Sequence, residues 1–184
     1  MRRVVATEFL ALDGVVEAPE KWSGPYWSDE IARFKHDELF ASDALLLGKL
    51  TYEGFAAAWP GRTDEEGFAD RMNALPKLVV STTLNEPLDW NNSTLIRGAL
   101  ADRITELKQQ DGQDVLIYGS GRLVRALITQ GLLDELRLLV YPIVVGTGKR
   151  LFDESNKAEL QLVETKAFGS GVVLLSYRAA DAEG

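Results

Sequence analysis

The feature that most constrains the fold is an apolar run that ends in glycine and changes at once to a helical pattern. Val115–Tyr118 contains no charged residue, which is typical of a strand buried on both faces. Glycines stand at 119 and 121, and apolar residues at 123, 124, 127 and 128 then share one helix face, with Gly131 at the cap position. We therefore predict a strand, a tight turn and a helix.

This turn is a candidate dinucleotide site. Glycine lets a ligand approach the backbone closely, and the N–H groups and positive dipole end of the helix attract phosphate. The Rossmann fingerprint needs a third glycine where Val124 stands, and no Gly-Lys-Ser/Thr sequence is present. Both common nucleotide motifs are therefore excluded, and a purely structural turn is the alternative.

Composition narrows the class of protein. The 184 residues show no break in composition, so we expect one domain over 1–178 and a short disordered tail at 179–184. A net charge of −8 argues against nucleic-acid or anionic-membrane binding. The absence of cysteine excludes disulfides and thiolate zinc, and a single histidine favours no metal site. Without an apolar signal or membrane-spanning run, the expected location is cytoplasmic.

Two further strand ends carry polar groups suited to a nucleotide. Ala44–Leu47 is followed by Gly48, Lys49 and Thr51 at a helix start, which suits a pyrophosphate. After a polar connection, Lys77–Val80 is predicted to form a third buried strand, which is followed by Ser81, Thr82 and a third hydroxyl that could bind a phosphate or ribose. An exposed charge, a helix cap and a hydroxyl-rich turn are the alternative interpretations.

The segment after the first strand, Val4–Leu10, combines aromatic and acidic residues. Trp22 and Trp27 could line a pocket for a planar ligand or fold the loop onto the core. Ser28 is a suitable N-cap for a helix reaching about Phe40, and Glu30 falls in its first turn, where the dipole favours a negative charge.

The chain beyond Gly131 reads as extended. Leu136–Val145 is followed by strands near Leu160–Ala167 and Val172–Tyr177, which a glycine-rich hairpin separates. We predict an α/β fold with a mostly parallel sheet, an antiparallel C-terminal edge and helices on both faces. Residues 136–141 have few polar breaks for an exposed edge, so a homodimer is expected to cover them.

Five motifs in order resemble one family over nearly the whole chain. They are Leu12-Asp13-Gly14, the segment Asp43–Glu53, Val79–Thr82, Tyr118–Gly121, and Gly131–Leu136 continuing through Pro142, Gly146, Gly148 and Leu151-Phe152. This order resembles the dihydrofolate-reductase fold, and more closely the C-terminal reductase domain of the riboflavin-biosynthesis deaminase-reductase family in its stand-alone bacterial form. The resemblance implies a three-layer αβα fold, NADPH as cofactor and a homodimer.

The resemblance also implies site residues. Lys49 and Thr51 would contact the NADPH phosphates, and Ser81 and Thr82 would lie by the 2′-phosphoribose. The predicted cofactor-binding set is Gly14, Gly48, Lys49, Thr51, Ser81, Thr82, Gly119, Ser120, Gly121 and Arg122. Family members often have arginine in place of Lys49 and glycine in place of Ser120. Lysine lacks the bidentate fork, and a side chain at 120 narrows the approach to the backbone.

Two carboxylates are candidate catalytic residues. Asp13 lies in the loop that the resemblance places beside the nicotinamide, whereas Glu30 resembles the acid that serves pterin protonation in dihydrofolate reductases. We favour Asp13, because Glu30 in a first helical turn would need burial to raise its pKa. Trp22 and Trp27 are the candidate substrate-binding residues.

The expected activity is hydride transfer from NADPH to a small heterocycle or sugar-linked pyrimidine, similar to 5-amino-6-(5-phosphoribosylamino)uracil reductase. A zinc deaminase half is excluded, since it requires paired cysteines. A dihydrofolate or pterin reductase and a non-catalytic nucleotide-binding protein are the alternatives, because function depends on the site rather than the fold.

Overall fold

The computed structural model describes residues 1–180. The strands are β1 (Val4–Ala11), β2 (Ser42–Gly48), β3 (Lys77–Val80), β4 (Ser93–Ile96), β5 (Asp114–Tyr118), β6 (Glu135–Tyr141), β7 (Leu160–Ala167) and β8 (Val173–Ala179). The α-helices are α1 (Asp29–Phe40), α2 (Lys49–Ala58), α3 (Phe68–Ala74), α4 (Leu100–Gln109) and α5 (Gly121–Thr129), and two short 3₁₀ turns, Pro19–Lys21 and Gly24–Tyr26, precede α1.

All eight strands form one sheet in the order β4-β3-β2-β5-β1-β6-β8-β7. Pairing is parallel from β4 to β6 and antiparallel where β8 joins β6 and β7. Strand–helix connections return each strand to the same end of the sheet, whereas the glycine hairpin after Ala167 reverses the chain. The predicted α/β fold of the dihydrofolate-reductase type, with an antiparallel C-terminal hairpin, is therefore confirmed.

The sheet has a hydrophobic core on each face because side chains of β1 alternate between them. Val5 packs with Leu39 of α1, Tyr52 of α2 and Met72 of α3, and we call this side the α1 face. On the opposite side, Val4 and Ala6 pack in the same core as residues of α4 and α5, and we call this the α5 face. Helices α2 and α5 therefore lie on opposite faces of the sheet.

Three local expectations need correction. Leu136–Tyr141 is no edge, since β6 lies between β1 and β8, and the edge strands are β4 and β7. Helix α3 falls in a segment that reads as a polar connection, where the carboxylate of Asp64 accepts hydrogen bonds from the first backbone N–H groups. Ala179, assigned to the disordered tail, ends β8 and pairs with Leu160; residues 181–184 lie outside the described part.

The remaining local predictions near the site agree with the structure. The hydroxyl of Ser28 accepts a hydrogen bond from the N–H of Ile31 at 3.3 Å and caps α1. Gly131 has φ of +66° after α5, a conformation that glycine adopts without penalty. Within residues 1–180, no helix is both long and apolar enough to cross a membrane.

Candidate active site

The topology places a crevice at the carboxyl ends of β2 and β5. These strands are neighbours in the sheet, yet β2 leads into α2 on the α1 face and β5 leads into α5 on the α5 face. Helices that leave adjacent parallel strands in opposite directions open a gap between their N-termini, which is the usual ligand site of open α/β sheets. We call this gap, bordered by residues 48–51 and 119–122, the switch-point crevice.

Ser120 fastens the two sides of the crevice together. Its hydroxyl accepts a hydrogen bond from the N–H of Gly48 at 2.9 Å and donates to Oγ1 of Thr51 at 3.0 Å. Ser120 has φ of +63°, which is uncommon for a residue with a side chain. At Gly119, a Cβ would lie 3.3 Å from Oγ1 of Thr51, so glycine keeps the backbone accessible there. Residues predicted from two separate motifs thus meet in one place.

Positive charge and hydroxyls border one end of the crevice. Nζ of Lys49 lies 3.0 Å from Oγ1 of Thr83. The hydroxyl of Ser81 accepts two backbone N–H bonds within its own turn, so it shapes the turn as well as offering a polar group. Arg97, directly after β4, donates to the carbonyl of Thr82 at 3.4 Å. Sequence reasoning missed Arg97, although a basic residue at a strand end was the available signal.

These groups fit an anionic dinucleotide. Two helix N-termini face the crevice, and the first N–H groups of a helix have no carbonyl partner within it. The side chain of Lys49 is 39% exposed and lies 3.9 Å from the carboxylate of Glu53. Arg97 and Arg122 are exposed, and Arg97 donates to a second backbone carbonyl as well. The exposure of these cations lets a phosphate reach them from solvent. The open backbone at Gly119 completes a cradle that a Cβ would narrow. The site is therefore compatible with the cofactor that the sequence predicts.

The loop carrying Asp13 is fixed by its own carboxylate. Asp13 accepts hydrogen bonds from the N–H of Gly146 at 2.7 Å and of Val145 at 3.4 Å. The Gly146 bond, more than any other contact, lowers the pKa of Asp13 below its usual value and favours the charged form. Gly14 follows with φ of +84°. This geometry favours a fastening role for Asp13, and its predicted catalytic role stays a prediction.

Helix α1 presents a lysine, rather than Glu30, to the sheet. Glu30 is exposed and lies beside the hairpin residue Gly169. The buried residues of α1 are Ile31, Lys35, Glu38 and Leu39, which recur at the spacing of one helix face. The exposed position gives no support to Glu30 as a proton donor, and sequence reasoning missed Lys35 because lysine is rarely buried.

The two candidate tryptophans have different surroundings. Trp22 is only 8% exposed, donates from Nε1 to the carbonyl of Glu17 at 3.0 Å and packs edge-on against Tyr141. These contacts favour the alternative in which Trp22 folds the loop onto the core, and its role in lining a ligand pocket stays a prediction. Trp27 is 50% exposed, with its ring 6.4 Å from that of Phe9, and remains available to a planar ligand.

Phe9 and Tyr118 continue this surface inward. They project from adjacent strands on the α1 face, and Nζ of Lys35 lies 5.5 Å from the ring centre of Phe9 and 4.0 Å from that of Tyr118. We call Trp27, Phe9 and Tyr118 the aromatic wall. Tyr118 directly precedes Gly119, so the aromatic wall joins the switch-point crevice.

Glu8 is a second buried ionisable group that sequence reasoning missed. It is 3% exposed, and Oε1 has no hydrogen-bond partner in residues 1–180. Burial raises the pKa of Glu8 to about 8, against the opposing attraction of Lys35 and Arg125. Strand alternation places it on the α5 face, level with the start of the Gly119 turn. A charged residue within an apolar first strand was the available signal.

Comparison with known proteins identifies the family. The model described as the RibD C-terminal domain matches residues 2–174. The chain belongs to the RibD C-terminal domain family. The uncharacterized protein YyaP of Bacillus subtilis (strain 168) is 31% identical over 180 residues, covering 96% of this chain and 94% of that protein. The relationship therefore extends over the whole described fold.

Solved structures support the fold of this RibD C-terminal domain. A putative riboflavin biosynthesis protein from Shewanella sp. PV-4 aligns with TM-score 0.74 and 19% identity, over 97% of this chain and 99% of its own. Dihydrofolate reductase from Enterococcus faecalis, complexed with NADP(H) and RAB-propyl, aligns with TM-score 0.66 and 16% identity, covering 97% of each chain. At these sequence identities the structural similarity shows a shared fold and nothing further about function.

The Ser120 bridge makes a testable prediction for this domain. Replacing Ser120 by alanine removes the partner of the Gly48 N–H and keeps a Cβ at positive φ, so the free energy of unfolding should fall by about 1–2 kcal/mol. Replacing it by glycine removes the bridge but relieves the φ penalty, and should cost less. Urea unfolding of both variants checks this order, and equal losses would show that backbone strain at 120 contributes nothing.

The buried carboxyl predicts a pH dependence. Between about pH 4.5 and pH 8 the folded protein holds a proton on Glu8 that the unfolded chain has lost, so this residue makes stability fall as pH rises, by about 1.4 kcal/mol per pH unit. Glu8→Gln should remove this slope. Unfolding free energies of both proteins across that range give the difference, and parallel curves would contradict the raised pKa.

Proposed function

We propose that this protein is an NADPH-dependent reductase. Its substrate would be a small heterocycle or sugar-linked pyrimidine, as in 5-amino-6-(5-phosphoribosylamino)uracil reductase. The observation that carries the proposal is the switch-point crevice, where two helix N-termini meet beside the half-buried Lys49 and the exposed Arg97. An anionic dinucleotide is the ligand class best suited to two positive helix ends and adjacent cations.

The family supports the reaction class. The RibD C-terminal domain family is one of NAD(P)H-dependent reductases. The Enterococcus faecalis relative in fold was solved with NADP(H). We extend this cofactor to the present chain because its cations and N–H groups fit a phosphorylated dinucleotide. A cytoplasmic location, expected from the sequence, belongs to the same proposal.

Each part of the crevice would have a binding role. Lys49 and Arg97 would pair with phosphate oxygens, and Thr51 and Ser120 would offer hydroxyls to the linking phosphates. Gly119 would let the ligand approach the backbone without a Cβ between them. When bound, a nicotinamide cofactor supplies a hydride. The protein's own residues position that group and restrict water.

The aromatic wall would orient the other reactant. Trp27 is half exposed and Phe9 lies next to it, so a flat ring can stack against them with an offset or edge-on geometry. This wall meets the crevice at Tyr118 and Gly119. Catalysis here depends mainly on holding the reducible bond beside the hydride donor, since alignment accounts for much of a rate enhancement.

Cofactor selectivity tests the proposal. Lys49→Ala and Arg97→Ala should each weaken NADPH binding about tenfold and NADH binding much less, because a charge-assisted bond to the 2′-phosphate is lost. Thr82→Ala should act in the same direction with a smaller effect. Fluorescence titration with both cofactors measures these changes in affinity.

NADPH should also stabilise the wild-type fold. At a hundredfold excess of NADPH over its Kd, the free energy of unfolding should rise by about 2.7 kcal/mol.

Lys166→Ala is the matched control. This lysine lies on β7, with its amine over the ring of Phe168, and its removal lowers positive charge equally without affecting the crevice. NADPH affinity should therefore be unchanged in this variant. Absence of any NADPH binding by the wild type would refute the proposal, and equal losses for both cofactors would show that Lys49 does not contact the 2′-phosphate.

We also propose a homodimer, with its interface at the β7 edge instead of β6. Strand β7 has eight residues and one neighbour, β8. Leu162 and Val163 on it are 49% and 57% exposed. An edge strand that exposes backbone groups together with apolar side chains tends to pair with another chain.

A charge at this edge should separate the subunits. We expect the wild type to elute at twice its 20.3 kDa chain mass and Leu162→Asp to shift towards the monomer, because a buried carboxylate without a partner is costly. Light scattering coupled to gel filtration at micromolar concentration measures the mass. Leu50→Asp, at a 71% exposed position on α2, is the control, and a wild-type monomer would contradict the interface.

A further inference from the structure

A chain of alternating charges begins at Lys35 below the aromatic wall. Nζ of Lys35 donates to the carboxylate of Glu38, which lies one helical turn further along α1. The second oxygen of Glu38 lies 3.5 Å from a guanidinium nitrogen of Arg137 on β6. Lys35 and Glu38 are both more than nine-tenths buried. The series of charges therefore runs from helix α1 to strand β6 through the protein interior.

The same series of alternating charges continues to the end of the sheet where the parallel strands begin. Arg137 donates from Nε to Glu135 at 2.7 Å, and Glu135 pairs with Arg3 at 3.2 Å. Arg3 completes the series with Asp114 through bonds of 2.5 and 3.0 Å. Each interior charge thus lies between two opposite ones. Lys35 is the last charge of the series, next to the aromatic wall, and Glu38 is its one oppositely charged partner in that series.

Tyr118 and Thr7 bring hydroxyl-bearing side chains to the same face of the sheet as Lys35. Tyr118 lies under the ammonium of Lys35, and Thr7 is paired with Tyr118 in the register of β1 and β5. Oγ1 of Thr7 is buried without a hydrogen-bond partner in the described residues. Burial, with the charge of Glu38, raises the pKa of Tyr118 well above its usual value, so its hydroxyl keeps its proton. All of the polar groups here can donate a hydrogen bond; the ammonium can only donate, whereas the two hydroxyls can also accept.

The burial of the Lys35 ammonium determines which ligand groups it would attract. Burial lowers the pKa of Lys35, and the attraction of Glu38 opposes that effect. A buried ammonium with one carboxylate and two aromatic rings as neighbours has N–H capacity left over. An oxygen acceptor or a negative charge on a ligand would extend the alternation by one member. A cationic or amino-bearing ring edge would meet a like charge in a region of low dielectric.

We propose that Lys35 determines substrate specificity: it makes the aromatic wall select flat rings that present carbonyl oxygens or negative charge, and reject rings that present protonated amino groups. This inference rests on the proposed reductase function, because it concerns the substrate side of the same site. Glu30, which lies on the same helix, is exposed, whereas Lys35 is buried against the aromatic wall.

Two pyrimidines of equal size and opposite polarity test the proposal. Barbiturate, a pyrimidinetrione that is an anion at neutral pH, and 2,4-diaminopyrimidine, which takes up a proton, are titrated calorimetrically into NADPH-saturated protein. The wild type should bind the trione with a dissociation constant below about 1 mM and prefer it by about tenfold or more. Lys35→Met should lose at least about tenfold in trione affinity, while Lys35→Arg should retain most of it.

Three measurements keep the result interpretable. NADPH affinity and far-ultraviolet circular dichroism of each variant report that the fold and crevice persist, since Glu38 keeps Arg137 as a partner. Lys166→Met, which removes a lysine over the ring of Phe168, is the matched control and should bind both pyrimidines as the wild type does. A loss of trione binding confined to Lys35→Met supports the inference.

Failure of the inference and failure of the proposed function are distinguishable. If NADPH binds but the trione binds Lys35→Met as tightly as the wild type, or the wild type prefers the diamino compound, the role of Lys35 is wrong and the reductase proposal stands. No measurable trione binding also overturns the inference. If NADPH itself does not bind, the proposed reductase function is refuted. The two pyrimidines are then compared without cofactor, and the same outcomes test the role of Lys35.

Discussion

The structure depends on one constraint of connectivity: β2 and β5 are neighbours, but the chain leaves them towards opposite faces. The crevice between α2 and α5 follows from this arrangement, as it does in other open α/β sheets. Ser120 maintains its width, because one hydroxyl binds the N–H of Gly48 and Oγ1 of Thr51. Residues from motifs separated by 72 positions therefore lie in contact at one crevice.

The two faces of the sheet differ in how they hold buried ionisable groups beside this crevice. On the α5 face, Glu8 is kept neutral at pH 7 by burial, which raises its pKa to about 8. On the α1 face, Lys35 retains a carboxylate partner and two aromatic neighbours. Buried charges are stable only when paired or neutralised, and this domain uses neutralisation on one face and pairing on the other.

Much of the fold could be predicted from the sequence, together with the residues that border the crevice, whereas the buried ionisable groups beside it could not. The apolar run at Val115–Tyr118, the N-cap at Ser28 and the C-terminal hairpin are local signals, and all three appear as expected. Helix α3 was missed because its signal is seven residues long and its cap, Asp64, lies outside it. The interior position of β6 was missed because strand order is set by long-range pairing that an apolar run does not specify.

By itself the sequence determined the order of strands and helices apart from α3, the glycine turn and which residue types stand at the strand ends, because these depend on interactions between near neighbours in the chain. Only the tertiary structure decided which ionisable groups are buried. Lysine at 35 and glutamate at 8 resemble surface residues in the sequence, and Glu30 resembles a catalytic acid. The rotation of α1 and the alternation of β1 turn the first two inward and leave Glu30 in solvent, since packing of the apolar faces fixes both orientations.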